Sequence, residues 1–295
     1  MGTLDRLKAL LSHDIFEQID NHQSDLTEVR LRAGRPVQMV WIGGEALCGA
    51  PLDPEQLHAI VTALMDYSYY ARESELSQGF FTLNDGSRVG VCGRIARNGA
   101  DCRMTEISSI CLRIARSVPG CADGIMSAVD GKRGLKSTLI LSRPGLGKTT
   151  LLRDIARQLS EAGRRVSLAD ERHELAACRM GMPTLDVGPR TDVLDGCPRP
   201  LAIATLIRSM GPDVIVTDEI GGEGDAKALA DAARCGVAVA ASAHADSVEA
   251  ALARSMLRAA IREGAFHNIV LLGRRPGEIR QVLELDGGGG TWKSA

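Results

Sequence analysis

Aromatic residues are scarce in this chain: two Trp, three Tyr and four Phe make up 3% of its 295 residues. Bases of single-stranded nucleic acid stack on such rings. That platform is missing above all after residue 81, where only Phe266 and Trp292 occur. A surplus of positive charge is missing as well. The 35 Lys and Arg are outnumbered by 37 Asp and Glu, for a net charge of −2. This gives no general attraction to nucleic acid or anionic lipid. No apolar run approaches the roughly 20 residues that cross a bilayer. The eight cysteines (48, 92, 102, 111, 121, 178, 197 and 235) form no C-x-x-C pair and show no zinc-ligand spacing. Reduced thiols in the cytoplasm are therefore expected, several of them buried as small apolar residues. The opening MGTLDRLKALLSHDIFEQID reads as an amphipathic helix rather than a signal peptide. A cytoplasmic protein able to dock on a membrane protein is the expectation. No internal repeat is visible.

What the chain does have is a soluble composition, 44% apolar and 24% charged, and length for one large domain or two ordinary ones. Seven of its nine aromatics fall in the first 81 residues, which suggests two domains with different cores. The first part is mixed α and β. LTEVRLRAGRPVQMVWIGGEAL alternates as short strands do, around Val29, Leu31, Val37, Met39 and Trp41. DPEQLHAIVTALMD opens with Asp53 as N-cap and Pro54 at the first helical position. GFFTLNDGSRVGVCGRIAR predicts a hairpin turning at Asn84-Asp85-Gly86-Ser87. A last strand in SSICLRIARSVPG ends at Pro119-Gly120, a candidate linker. These features predict an N-terminal α+β domain over 1–120 and a second domain over 121–295. In the latter, short apolar strands (STLILS, RRVSLAD, DVIVTDE, VAVAASAH and two at the C-terminus) alternate with helices, one of them spanning SVEAALARSMLRAAI. That pattern argues for a mainly parallel sheet in an α/β layer fold. The run Gly287–Gly290 reads as a tip or tail.

One loop carries chemistry. LILSRPGLGKTTLLRDIARQ matches G-x-x-x-x-G-K-[ST] except that Ser142 stands at the first glycine. Arg143, Pro144, Gly145, Leu146, Gly147, Lys148 and Thr149 follow, and Thr150 extends the candidate nucleotide contacts. The loop follows an apolar strand and opens a helix, so its N–H groups and the helix N-terminus would hold phosphate oxygens. Lys148 would reach the β and γ phosphates of ATP, and the Thr149 hydroxyl would ligate Mg²⁺. A chance glycine-rich turn is the bland alternative. A second element answers it: DVIVTDEI places Asp218 and Glu219 at the end of a buried strand, a costly position for carboxylates. Asp218 would hold the Mg²⁺ shell and Glu219 would polarise the attacking water; otherwise the strand ends in a solvated acidic turn. His244 in ASAHADS would lie beside the Asp218 strand, either to sense the γ phosphate or as a structural histidine. Asp170 and Glu171 close a further strand, facing the site or capping in solvent.

These strand ends, in this order, resemble those of the secretion and pilus-retraction ATPases of the RecA-like superfamily. There a phosphate loop is followed by an acidic box, an acidic Mg²⁺-binding strand and a histidine box, as LIRSMGPDVIVTDEIGGEGDAKALADAARCGVAVAASAHADS is here. Together with EVRLRAGRPV, GSRVGVCGRIA, LRIAR and RTDVLDGCPR, the chain is similar from about residue 26 to 285 to the stage III AA sporulation family of endospore-forming bacteria. The resemblance implies a RecA-like P-loop NTPase core after a smaller α+β domain. It also implies a cytoplasmic, hexameric ATPase driving a membrane complex between mother cell and forespore, with membrane proteins of that complex as partners. It favours His244 and Glu171 at the nucleotide site. In such ATPases arginines of the N-terminal domain close over the nucleotide, within a subunit or across an interface. Arg30 and Arg32, which should share one strand face, Arg94 and Arg113 are the candidates here, with Arg208 a further one. The departures are Ser142 and the bulky Arg143, which points to solvent or to a neighbouring subunit. A nucleotide-gated scaffold with little turnover, and a nucleic-acid-directed motor, are the competing classes. The acidity and the missing stacking platform speak against direct nucleic-acid binding.

Overall fold

The computed structural model describes residues 3–22, 25–66, 73–77, 79–83, 85–98, 101–114, 117–132, 134–178, 180–285 and 292–294. Asn84 and Gly287–Gly290, named above, and the three tyrosines counted there, Tyr67, Tyr69 and Tyr70, lie outside them. The chain divides into two compact units, 1–115 and 116–295.

The first unit opens with α1 (Thr3–Lys8) and α2 (His13–Asn21) where one helix is expected. α1 stops at Lys8, and Ser12, in extended backbone (ψ 157°), is the N-cap from which α2 starts; Leu7, Ile15 and Ile19 are buried. β1 (Leu26–Arg32), β2 (Val37–Trp41) and β3 (Gly44–Cys48) form a meander, followed by α3 (Pro54–Leu64). The sequence signal for α3 is realised as a capping box. Asp53 accepts the Gln56 N–H at 2.7 Å, and the Gln56 side chain accepts the Asp53 N–H at 3.2 Å. α4 (Glu73–Ser77), β4 (Phe80–Thr82), β5 (Arg88–Asn98) and β6 (Asp101–Arg113) complete an antiparallel sheet ordered β3-β2-β1-β6-β5-β4. The period of two in β1 puts Val29 and Leu31 in the core with Phe81 and Leu112. Arg30 and Arg32 therefore project from the opposite face, as expected, and Glu28 lies on that face with them.

The second unit runs α5 (Asp123–Val129), the short ribbon β7 (Asp130–Gly131) and β8 (Gly134–Leu135), β9 (Thr138–Ser142), α6 (Lys148–Glu161), β10 (Val166–Asp170), β11 (Thr191–Asp195) and α7 (Arg199–Met210). It continues with β12 (Val214–Glu219), α8 (Glu223–Arg234), β13 (Ala238–His244), α9 (Val248–Ala253), α10 (Ser255–Arg262), β14 (Asn268–Leu272), β15 (Ile279–Leu285) and β16 (Trp292–Ser294). The sheet order is β11-β10-β12-β13-β9-β14-β15-β16. The first six strands are parallel, and β15 and β16 add an antiparallel edge. β9, β10 and β14 are buried at every position, because helices cover both faces. Leu139, Leu141, Ile215 and Ala241 pack toward α7, α8 and α10, whereas Ile140, Val166 and Val216 pack toward α5 and α6. Each fully buried leucine or isoleucine contributes about 1.5–3 kcal/mol relative to exposure.

Three details differ from the sequence pattern. β11 is an added edge strand, hard to see because TDVLD has few apolar residues. β16 returns the chain to the sheet after the glycine run and makes three C-terminal strands, not two. SVEAALARSMLRAAI is two helices broken at Arg254, whose backbone is extended (ψ 120°). The reason is geometric. Val248 and Leu257 are both buried, but nine residues of one straight helix would set them about 180° apart.

Candidate functional site

In an open parallel sheet, ligands bind beyond the carboxyl ends of the strands. Four adjacent strands, β10-β12-β13-β9, bring together there the residues the sequence singled out. β9 ends at Ser142, which is paired in register with His244, the last residue of β13. β12 ends in Asp218 and Glu219, and β10 in Asp170, followed directly by Glu171.

The phosphate loop spans 143–147, and α6 begins at Lys148. Gly147 has φ +90° and serves as N-cap, and Gly145 has φ +77°. Side chains rarely adopt these values. A Cβ on Gly147 would also stand 3.2 Å from the N of Gly277, whose N–H donates to Leu146 O at 3.1 Å. Ser142, by contrast, is absent from the positive-φ residues and its hydroxyl donates to Arg143 O at 2.8 Å. The missing glycine is therefore not required by the backbone at that point. Pro144 and Leu146 continue the loop, and Thr149 and Thr150 lie in the first turn of α6, half-buried. Arg143 reaches outward to Asp246, Nη2 to Oδ2 at 2.9 Å.

Lys148 is buried, and its ammonium donates to Arg143 O at 3.2 Å, Ser142 Oγ at 3.3 Å and Ser142 O at 3.4 Å. It also meets His244 Nδ1 at 2.9 Å. Because an ammonium only donates, Nδ1 accepts and the other ring nitrogen carries the proton, a tautomer assigned from its partners. That Nε2 is 3.1 Å from Glu219 Oε1, and Arg172 Nη1 holds Glu219 Oε2 at 2.7 Å. Lys148, His244, Glu219 and Arg172 thus form one chain of contacts. Burial lowers the Lys148 pKa, against the opposing pull of Glu219.

Asp218 is 2% exposed, and burial pushes its pKa up to about 6 although Arg199 pulls the other way. Arg199 Nη2 donates to Asp218 Oδ1 at 2.9 Å and stands 3.2 Å from Glu171 Oε2, so Glu171 joins the site through a guanidinium. Asp170 turns elsewhere: its carboxylate accepts the N–H groups of Glu174, Leu175 and Ala176 at 2.9–3.1 Å and orders the loop after β10. Arg208 does not join the site of its own chain. It bonds Ala204 O in the last turn of α7, about 14 Å along the axis from Arg199. In the first unit, Glu28 gathers two of the candidates: Arg30 Nη2 at 2.7 Å and Arg113 Nε at 3.5 Å. Arg32 bonds Gln38 at 2.9 Å, and Arg94 lies 3.4 Å from Glu106.

Arg199, Arg172, Thr217 and Asp225 were not singled out from sequence. One signal for Arg199 exists, a cation at the first position of a helix where the dipole disfavours it. It becomes readable only once the helix start is known.

A lysine at the mouth of a glycine loop, with acids and a histidine on the neighbouring strand ends, defines the class: a RecA-like P-loop fold, preceded in the chain by an antiparallel sheet. Solved structures agree. The ATPase DotB of Legionella pneumophila is similar with a TM-score of 0.63 and 16% identity, over 92% of this chain and 80% of that one. The pilus retraction motor PilT, crystallised with bound ADP, is similar with a TM-score of 0.56 and 15% identity, over 96% and 82%. At such identities the likeness is one of fold. Sequence goes further: residues 3–288 match the family model described as sporulation stage III, protein AA, and the chain belongs to that family. Stage III sporulation protein AA of Bacillus subtilis (strain 168) is 38% identical over 272 residues, 89% of this chain and 88% of that protein.

Proposed function

We propose that the protein hydrolyses ATP with Mg²⁺ as an oligomeric secretion-type motor. Its hexameric ring would work at a membrane complex between mother cell and forespore during sporulation. The observation that carries this reading is the contact chain Lys148–His244–Glu219 across the carboxyl ends of β9, β13 and β12. The ATPase and pilus-motor names of the structural relatives, and the sporulation family, support it.

The residues present fit a Mg²⁺-nucleotide. The loop presents glycines at positive φ and a lysine at its mouth, and the Thr149 hydroxyl and the Asp218 carboxylate supply the hard oxygen donors Mg²⁺ takes. Among the described residues no group of three or more His, Cys, Asp or Glu is arranged to hold a metal unaided. That suits an ion held by one or two protein oxygens plus phosphates. Mg²⁺, when bound, would neutralise charge on the phosphate oxygens.

Lys148 would exchange the loop carbonyls for the β and γ phosphates while the loop N–H groups, from Ser142 to Thr150, cradle them. Glu219, oriented by His244 and Arg172, would align the attacking water. His244, between Lys148 and Glu219, would register the phosphate by exchanging one partner. Glu171 would line the same edge. Arg30, Arg32, Arg94 or Arg113, brought over the phosphates by closure of the N-terminal domain, would complete the charge shell. The partners would be further copies of this chain and membrane proteins of the sporulation complex, with no direct contact to nucleic acid. Among the described residues no helix is long and apolar enough to cross a membrane, which fits a cytoplasmic protein peripheral to that complex.

The test is phosphate release from ATP across protein concentration, beside Lys148→Ala and Glu219→Gln. Turnover that rises with concentration and is lost in both variants is expected. Binding without turnover, lost in Lys148→Ala, would favour a nucleotide-gated scaffold.

A further inference from the structure

Arg199 is the first residue of α7 and is 4% exposed. A cation there faces the positive end of the helix dipole and has lost its water, so two costs must be offset. All three of its guanidinium nitrogens are engaged. Nε donates to Thr217 Oγ1 at 2.9 Å, Nη1 to Asp225 Oδ2 at 3.1 Å and Nη2 to Asp218 Oδ1 at 2.9 Å, with Glu171 Oε2 3.2 Å from Nη2. These partners come from three places in the chain: the end of β10, the end of β12 and the first turn of α8. Two of them are tied down in turn. Thr217 Oγ1 donates to Ala169 O at 2.9 Å, and Asp225 Oδ2 accepts the N–H groups of Gly221 and Gly222, both at 2.9 Å. A planar guanidinium fixes the direction of every bond it makes, which a lysine ammonium does not.

We propose that Arg199 is a positioning residue of the nucleotide site: its fork holds the Asp218 carboxylate, and Glu171 beside it, in the orientation from which they meet the metal and phosphates. The inference rests on the Mg²⁺-nucleotide reading and adds a residue that acts only through others. Without the guanidinium, three carboxylates converge with no counter-charge between them, and mutual repulsion turns Asp218 out of line. With an ammonium in its place the charge remains and the alignment is lost. Charge alone therefore does not explain the residue type; orientation does.

The test uses the full chain and a fluorescent ADP analogue, with affinity measured in Mg²⁺ and in EDTA, and melting followed alongside. The ratio of the two affinities isolates the Asp218 side of the site from the Lys148 loop. Arg199→Lys is expected to keep the EDTA affinity and to lose about 10-fold or more of the Mg²⁺ enhancement, the scale on which groups behind a metal ligand act. A purely structural role would lower the melting temperature and leave the ratio unchanged, which overturns the inference. Should Arg199→Lys melt early, Thr217→Val gives the same reading with the charge in place. It removes the Nε acceptor, together with the Thr217–Ala169 bond, and leaves every charge of the cluster in place, so a reduced ratio supports positioning and an unchanged ratio overturns it. A wild-type protein that binds the analogue equally with and without Mg²⁺ overturns the parent reading and this one together. An enhancement present in wild type and kept in both variants sinks the Arg199 inference alone.

Discussion

Asp218→Asn should make the nucleotide-free protein more stable at neutral pH, although Asp218 is proposed to hold the metal. The carboxyl is 2% exposed, and its pKa stands at about 6 against an ordinary 3.8. Burial is the leading cause and outweighs the attraction of Arg199. At about 1.4 kcal/mol per pH unit, ionising it in the folded chain costs about 3 kcal/mol more than in the unfolded chain. The sign follows from a raised pKa. The stabilising contribution is complete below the unfolded value, 3.8, and is lost as pH rises through the folded value, about 6. Asparagine never ionises and still offers Arg199 an oxygen. The gain of the variant over wild type should thus be near zero at pH 3.5, about half complete at pH 5 and complete by pH 8. For a unit the size of residues 116–295, about 3 kcal/mol corresponds to roughly 6–12 °C. Scanning calorimetry in EDTA across that range reads it, following the transition of the second unit. A variant that melts at or below wild type at pH 8 would refute the reasoning, because Arg199 would then be worth more to the folded state than the buried charge costs.

Other outcomes follow from single contacts. Gly147→Ala combines φ +90° with a Cβ 3.2 Å from Gly277 N. It should cost about 1–2 kcal/mol of stability and weaken nucleotide binding, measured by melting and by titration of a labelled nucleotide. Gly93→Ala should be more severe, since its Cβ would lie 1.7 Å from Glu106 O in the paired strand, at the irregularity between Cys92 and Gly93. A loss of about 3 kcal/mol or more is expected in denaturant unfolding of the first unit. Cysteine mapping by mass spectrometry at pH 8 should find the exposed Cys92 and Cys235 alkylated first. Burial pushes Cys121 up to about 11 and Cys178 up to about 12, so Cys121 should react about 100-fold and Cys178 about 1000-fold more slowly than an ordinary thiol. Fast labelling of Cys178 would mean the loop after β10 opens readily.

The sequence alone determined the elements whose signals are local. Asp53 and Pro54 announce the start of α3, and the apolar runs ending at Ser142, Asp218 and His244 announce buried strands with polar ends. A phosphate loop is legible because glycine spacing is a backbone requirement, and Ser142 is harmless because the requirement falls on Gly145 and Gly147. Helix phase is less local. The break at Arg254 became necessary only because Val248 and Leu257 had to face the same core. Beyond the expected neighbourhood of the Asp218 and His244 strands, strand order was decided by tertiary structure, since parallel neighbours are joined by long connections. It put His244 in register with Ser142, close enough to bond Lys148 and Glu219 at once. It also turned Asp170 toward its own loop while Glu171 went to Arg199. Arg199 itself could be weighed only in the folded protein, because a buried cation is defined by the carboxylates around it, and these arrive from residues 171, 218 and 225 only when the chain has closed.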